Sequence, residues 1–528
     1  HRTGGLPSPP PPDGPSPPTP RTPPPPLPPG AKGGPAAPRR FGAEVLMRPS
    51  ELSGDSVPLA PVVYHAVNTL EAAGERFDVV MTVQPTSPLI RPASLDRGLA
   101  LFEDADTDTV LSAYDNTHLS WTLDDTGRPV PMYAERVNRQ ALPKVYTESG
   151  GLIASRRTCV TPDERIGQCV QLVVLDPDEA IDIDTYHDWW LAEKIINRRR
   201  IVFNLIGSRM HGLGHVNRAL TLARRLTDHH LLFIADQREE LAARGVQDHH
   251  YTLETYADDP LPLLERLQPD IVVNDVLDTS ADLVRAMKQR GWRVVNFEDQ
   301  GPGIDHADAV INALYEGPHP ADHVYCGADY YCLREEFFSI RRRDAQPVAR
   351  TVLICFGGTD PAGLTVKTAR VAAGLPAGFR LVIVLGPGFG HDDELARVLT
   401  DFPHAHEIVR DTKVISHYME QADVMVTSGG RTCYEAATVG VPAVVMCQND
   451  RELKHVFASP DHGFINLGLG RDVADARLAE VLGHLMGDEA RRRAMQHRMW
   501  EWDGRGGIDR VLKIIIGDEV AKGIGHGS

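Results

Sequence analysis

Short apolar runs alternate with longer stretches of helical spacing over most of the chain. Runs at residues 78–83, 109–114, 152–155 and 180–184 read as strands, and residues 61–73, 93–102 and 186–199 carry helical patterns. A second series begins at residues 200–207 and continues at 231–235, 271–275, 294–297, 352–356, 381–385 and 424–427. Strands that are apolar throughout and separated by helices predict parallel sheets covered on both faces, so the fold class is α/β. The repeated series after residue 200 predicts two successive Rossmann-like domains facing a cleft, with a charged boundary at residues 341–350.

Residues 1–38 break this pattern. They hold 17 of the 41 prolines and almost no large apolar side chains, so neither helix nor inner strand is expected there. The domains are therefore read as a Pro-rich segment at 1–38, a first α/β domain at 39–199, a second at 200–345 and a third at 346–515.

With 528 residues and 42% apolar content, the chain can fill several cores. The net charge of −17 argues against a general nucleic-acid or anionic-membrane binder, so an anionic substrate must meet a local cluster of donors. The seven cysteines lack C-x-x-C spacing, and neither a disulfide framework nor a zinc site is expected. No apolar run has the length of a membrane span, and no secretion signal is evident, so a cytoplasmic location is expected.

Three places carry chemistry. Gly212-Leu213-Gly214-His215 lies between a strand and a helix, where free N–H groups and the helix dipole favour an anion. The dipole disfavours a cationic His215, which is expected to stay neutral and serve as a base. Ser428-Gly429-Gly430-Arg431-Thr432 is a second glycine turn of this kind, with Glu435 one helical turn beyond it. In Ala180-Ile181-Asp182-Ile183-Asp184, strand alternation would put both carboxylates on one face, an arrangement suited to Mg²⁺.

QPTSPLIRP, NRQALPKVYTESGG and AIDID together resemble the acylneuraminate (CMP-sialic acid type) cytidylyltransferases over residues 40–199. The resemblance implies a nucleotidyltransferase fold and Mg²⁺-dependent transfer of CMP from CTP to a nonulosonic acid. By motif, Gln84 would face the cytosine or sugar site, and Arg139 and Gln140 would contact the acidic sugar. Asp182 and Asp184 would hold the metal and serve catalysis. That family opens with a strand and a basic, glycine-rich triphosphate loop. Residues 1–38 have instead the Pro, Gly, Ala and Arg bias of a shifted reading frame in a GC-rich gene, and are expected to be an out-of-frame start. Such synthetases are often dimers, which makes a homo-oligomer an expectation too.

GLGHVNR, FGGTDP and SGGRTCYEAATVGVP resemble the GT-B superfamily over residues 201–502. Nearest are the UDP-sugar hydrolase of pseudaminic acid synthesis and the peptidoglycan N-acetylglucosaminyl transferase. The resemblance implies that His215 activates water or an acceptor, that Gly429, Gly430 and Thr432 bind the UDP diphosphate, and that Glu435 binds the ribose. The hydrolases carry an arginine and an aspartate where this chain has Asn204 and Ile206. The expected protein is a bifunctional enzyme that activates a nonulosonic acid with CTP and acts on a UDP-sugar. The competing readings are a glycosyltransferase with a non-catalytic front domain, and a catalytically inactive remnant.

Overall fold

The computed structural model describes residues 43–517 apart from Asp55 and Pro318. The Pro-rich segment at 1–38, expected to be an out-of-frame start, lies outside the described residues. The chain divides into two compact units between Ile196 and Asn197.

The first unit contains α1 (Leu59–Ala72), β1 (Val79–Val83), α2 (Pro92–Ala100), β2 (Thr109–Asp115), β3 (Tyr146–Arg156), β4 (Val170–Val174) and α3 (Tyr186–Ile196). Its four-stranded sheet runs in the order β1-β3-β2-β4. β3 is antiparallel to both neighbours and only β2 and β4 pair in parallel. Strand–helix alternation predicts a parallel sheet, but no helix crosses over between β2 and β3. The chain makes an excursion through a small hairpin (Trp121–Leu123 with Pro129–Pro131) and returns antiparallel.

Other expectations for this unit also change. Residues 146–151, read as a loop, form the first half of β3, and the register shift against Leu111 and Ala113 absorbs their glycines. Residues 180–184, read as a strand, are irregular and anchored by a bond from Ile183 N–H to the Thr86 carbonyl, 2.8 Å. α3 buries only Ala192 and leaves Trp189 and Trp190 exposed. The core is a small cluster around Val110, Leu152, Ala154 and Val173.

The second unit has two parallel sheets. The first comprises β5 (Arg200–Leu205), β6 (His230–Asp236), β7 (Leu253–Tyr256), β8 (Ile271–Asp275), β9 (Arg293–Phe297), β10 (Ala309–Asn312) and β11 (Val324–Cys326). They lie in the order β11-β10-β9-β8-β5-β6-β7. The second comprises β12 (Thr351–Cys355), β13 (Arg380–Leu385), β14 (Ala405–Arg410), β15 (Val424–Thr427), β16 (Ala443–Cys447) and β17 (Phe464–Leu469), ordered β14-β13-β12-β15-β16-β17. Each sheet is doubly wound from its own first strand. The order reverses between β5 and β8 in one and between β12 and β15 in the other, which are the places where such sheets bind ligands.

The apolar runs explain the sheets. β8 and β9 are buried along nearly their whole length, as strands covered on both faces must be. The last described helix, Gly507–Ile516, crosses back to the first sheet of the second unit, and Ile508, Val511 and Ile515 join the core formed by Ile201, Phe203 and Phe233. Truncating one such buried isoleucine to alanine costs about 2–5 kcal/mol. No described helix is long and apolar enough to cross a membrane.

Candidate functional site

A cleft of about 530 Å³ lies in the second unit, lined by residues from both of its domains. Both reversal points open onto it. After β5 the chain turns through Gly212, in the left-handed region at φ 74°, into helix α4 (Gly214–Ala223). His215 stands in the first turn of α4. Its Nδ1 lies 2.5 Å from Oδ1 of Asp275, the last residue of β8.

Asp275 also accepts two bonds from Arg218, Nε at 2.8 Å and Nη2 at 2.5 Å, while Arg218 Nη1 donates to Glu298 Oε1 at 2.7 Å. Arg218 is buried and lies 4.6 Å from the centre of the Phe297 ring. Burial pushes the Asp275 carboxyl up, but Arg218 and His215 outweigh it and hold the group well below the usual carboxylate range. Burial pushes the Glu298 carboxyl up, with Arg218 and Arg431 opposing only in part. An ionised Asp275 can only accept, so the proton of a neutral His215 sits on Nδ1, leaving Nε2 with a free lone pair.

The second domain supplies the opposite wall. Ser428, Gly430, Arg431, Thr432 and Glu435 line the cleft at the turn after β15 and at the start of α5 (Thr432–Val439). Glu435 is buried and paired with Arg334, whose Nε donates to Oε1 at 2.8 Å. Gly214 allows this wall to approach: a Cβ there would stand 3.1 Å from Arg431 Cδ. The N–H of Gly429, read as a diphosphate donor, is already committed to Glu452 Oε2 at 3.2 Å. A Cβ on Gly429 would come 2.9 Å from Cys447 Sγ, so this glycine serves close packing. Donors at this turn must come from Gly430, Arg431 and Thr432.

Asn204 and Ile206 do not line the cleft. Asn204 donates to Asn274 Oδ1 at 3.1 Å and accepts from the Tyr256 hydroxyl at 2.9 Å, and Asn274 donates in turn to Asn296 Oδ1 at 3.0 Å. This ladder of buried amides joins registered positions of β5, β8 and β9. Asp360 of FGGTDP caps a helix, accepting from Leu364 N–H at 2.9 Å and Thr365 N–H at 2.7 Å.

In the first unit, Gln84, Gly150 and Asp182 come together. Ser87 Oγ donates to Asp182 Oδ1 at 3.3 Å. Gly150 has φ 71°, and a Cβ there would meet Asp182 Oδ2 at 2.9 Å and Gln84 Nε2 at 3.7 Å. Asp184 is exposed, and its N–H donates to the Asp182 carbonyl at 3.2 Å. Because residues 180–184 are not a strand, alternation does not put the two carboxylates on one face. Among the described residues, no three His, Cys, Asp or Glu side chains form a metal-binding group. Arg139 and Gln140 are exposed on a single turn, Arg139–Ala141, and no hydrogen bond joins their side chains to Gln84 or Asp182 among the described residues.

Asp275, Glu298, Arg334 and Glu452 were missed as site residues by sequence reasoning. For Asp275 and Glu298 a signal exists, an acidic residue at or just beyond the carboxyl end of a buried strand. Arg334 and Glu452 carry no such local mark.

No protein-family model matches the chain. It is 27% identical over 265 residues to an uncharacterised protein of Methanocaldococcus jannaschii, covering 46% of this chain and 54% of that protein. The chain thus spans about half the length of that relative. It is 27% identical over 298 residues to the spore coat polysaccharide biosynthesis protein SpsG of Bacillus subtilis, covering 52% of this chain and 85% of SpsG. It is 22% identical over 261 residues to the UDP-2,4-diacetamido-2,4,6-trideoxy-beta-L-altropyranose hydrolase of Campylobacter jejuni, covering 47% of this chain and 91% of the hydrolase. Among solved structures, the MurG protein of Acinetobacter baumannii gives a TM-score of 0.47 at 14% identity, over 60% of this chain and 99% of that one. The second unit is thus a pair of doubly wound parallel α/β domains, in a chain similar to SpsG and to that hydrolase.

Proposed function

We propose that the second unit is a glycosyl-transferring enzyme that binds a UDP-sugar in the cleft between its two domains. The observation that carries this reading is the His215–Asp275 pair, at 2.5 Å, at the carboxyl end of one sheet and facing the glycine turn of the other. Similarity to SpsG and to a UDP-sugar hydrolase supports it.

The diphosphate lies against the start of α5, where Gly430, Arg431 and the Thr432 hydroxyl offer donors. Glu435 receives a ribose hydroxyl. His215 Nε2 takes the proton of an acceptor hydroxyl as that oxygen attacks the anomeric carbon. The bond from that carbon to the phosphate oxygen breaks, and UDP leaves with the electron pair. Asp275 holds the ring and offsets the imidazolium that forms, a contribution of about 10²–10⁴-fold in rate for general-base catalysis. Asn204 and Ile206, where the resemblance places charged groups in the hydrolases, do not line the cleft and supply no charge to activate water there.

The test is release of UDP from UDP-sugars with and without acceptor sugars. Release that needs an acceptor supports transfer, release in water alone makes the protein a hydrolase, and an absence of UDP binding refutes the reading.

A second reading concerns the first unit, which we propose as a site for CTP and a nonulosonic acid. The convergence of Gln84, Gly150 and Asp182 favours it. Asp182 would offer a carboxylate to a Mg²⁺ bound with the substrate phosphates there, and the ion would neutralise phosphate charge. Release of pyrophosphate from CTP with a panel of nonulosonic acids tests this reading, and its absence leaves the first unit a non-catalytic module.

A further inference from the structure

Glu298 follows β9 on a backbone that residues with side chains avoid, at φ 50°. The surrounding structure holds it there. Its N–H donates to the Ile311 carbonyl at 3.1 Å, and its own carbonyl accepts from Arg451 Nη2 at 2.5 Å. Backbone strain of this kind persists only where neighbours enforce it, and it gathers at ligand sites. The residue is 3% exposed; Oε1 accepts from Arg218, and Oε2 is shut off from solvent with no hydrogen-bond partner among the described residues.

Arg431, on the opposite wall, is the counterpart. Its Nη2 donates to the Cys332 carbonyl at 3.1 Å, and its guanidinium lies 4.8 Å from the centre of the Tyr331 ring. Its Nη1 is shut off from solvent and unpaired among the described residues. Both residues line the cleft that holds His215. A carboxylate oxygen and a guanidinium N–H, both buried and neither bonded to the other, are each left to be met by a water or by an atom of a ligand.

We propose that Glu298 Oε2 and Arg431 Nη1 are the two ends of a receptor for an uncharged polar substituent of the sugar, a hydroxyl or an amide that both donates and accepts. The receptor rests on the UDP-sugar reading above and deepens it. Thr432 and Glu435 read the nucleotide end, which leaves this pair for the sugar. An anionic substituent is repelled by Glu298 and a cationic one by Arg431. The two residues come from different domains, so the receptor is complete only when the cleft is closed. The bidentate bond from Arg451 to Asp278, at 3.0 and 3.1 Å, and the bond from Arg451 to the Glu298 carbonyl join the walls in that state.

The test is calorimetry on the full chain with UDP, UDP-glucose, UDP-galactose and UDP-N-acetylglucosamine. Glu298→Gln keeps an oxygen for Arg218 and puts an amide NH₂ where Oε2 stands. Arg431→Lys keeps the charge and removes the fork. The expected result is that the wild type binds at least one of the sugars tenfold or more tighter than UDP. Glu298→Gln then binds UDP as the wild type does and loses that increment, and in Arg431→Lys the ratio of sugar-nucleotide to UDP affinity falls to about one whatever its affinity for UDP. Should one variant fail to fold, the other carries the test. Retention of the full increment by a folded variant overturns the receptor, and so does a wild type that binds UDP but no sugar more tightly. A variant of raised thermal stability with its increment intact places a trapped water between the two atoms and also overturns it. Loss of UDP binding in the wild type overturns the nucleotide reading itself, so the two failures are distinguishable.

Discussion

Arg334 donates its Nε to Oε1 of Glu435 across 2.8 Å, and its Nη1 lies 2.7 Å from Glu336 Oε1. The carboxylate proposed for the ribose is therefore held by a residue from the segment between the two domains. Arg334→Met leaves Glu435 buried without its cation. Hydrogen bonds to charged groups contribute about 1.5–3 kcal/mol, so KM for a UDP-sugar is expected to rise about tenfold or more. A steady-state comparison in which kcat falls and KM stays fixed would remove Arg334 from the positioning of Glu435.

Asp275→Asn keeps the shape of the carboxylate but no longer fixes the Nδ1–H form of His215 or balances Arg218. Turnover is expected to fall by about 10²–10⁴-fold, with UDP affinity unchanged. Rate and calorimetric measurements on the same preparation check this, and turnover within a few-fold of wild type would dissociate the pair from catalysis.

Glu452 gives a pH dependence. Burial pushes its carboxyl up to about 7, with the N–H groups of Gln448 and Gly429 opposing in part. A folded-state value above the unfolded one means that the folded protein holds a proton the unfolded chain has lost. The stability from this group is full below about 4.5, declines as pH rises towards 7, and is lost above that. His455 acts oppositely in part of this window, because burial lowers it to about 4 and the unfolded chain gains a proton first as pH falls. The informative quantity is thus the difference between wild type and Glu452→Gln. Denaturant unfolding at pH 5 and pH 8 is expected to show the variant gaining on the wild type at pH 8, by on the order of 3 kcal/mol. A difference that does not change with pH would mean that Glu452 titrates alike in both states.

In the first unit, Gly150→Ala would set a Cβ 2.9 Å from Asp182 Oδ2 on a backbone at φ 71°. Both Gly150→Ala and Asp182→Asn are expected to abolish metal-dependent release of pyrophosphate from CTP. Circular dichroism checks that each variant is folded. Unchanged turnover in Asp182→Asn would exclude its carboxylate from that reaction.

The parts of the fold legible in the sequence were those with local causes. Residues 201–205, 271–275 and 294–297 are apolar runs of strand length, and a strand buried on both faces needs little else. The turn at Gly212 was legible because its φ of 74° favours glycine, and the turn at Gly429 because no side chain fits there beside Cys447 Sγ. Residues 146–151 misled because polar residues and glycines look like a loop, whereas pairing across two neighbours keeps them extended. Residues 180–184 misled because apolar alternation imitates a strand, and the backbone found its partner in the Thr86 carbonyl instead.

The sequence alone determined the α/β class, the repeated domains of the second unit, and the two turns that face its cleft, because each follows from side chains and backbone within a few residues. Tertiary structure alone decided the partners. His215 meets Asp275 across 60 positions, and Arg334 meets Glu435 across 101. It also decided that Gly429 gives its N–H to Glu452, and that Glu298 and Arg431, each with a buried unpaired atom, stand on opposite walls of one cleft. Such pairings depend on which strands become neighbours and how two domains close, and no local pattern of residues encodes that.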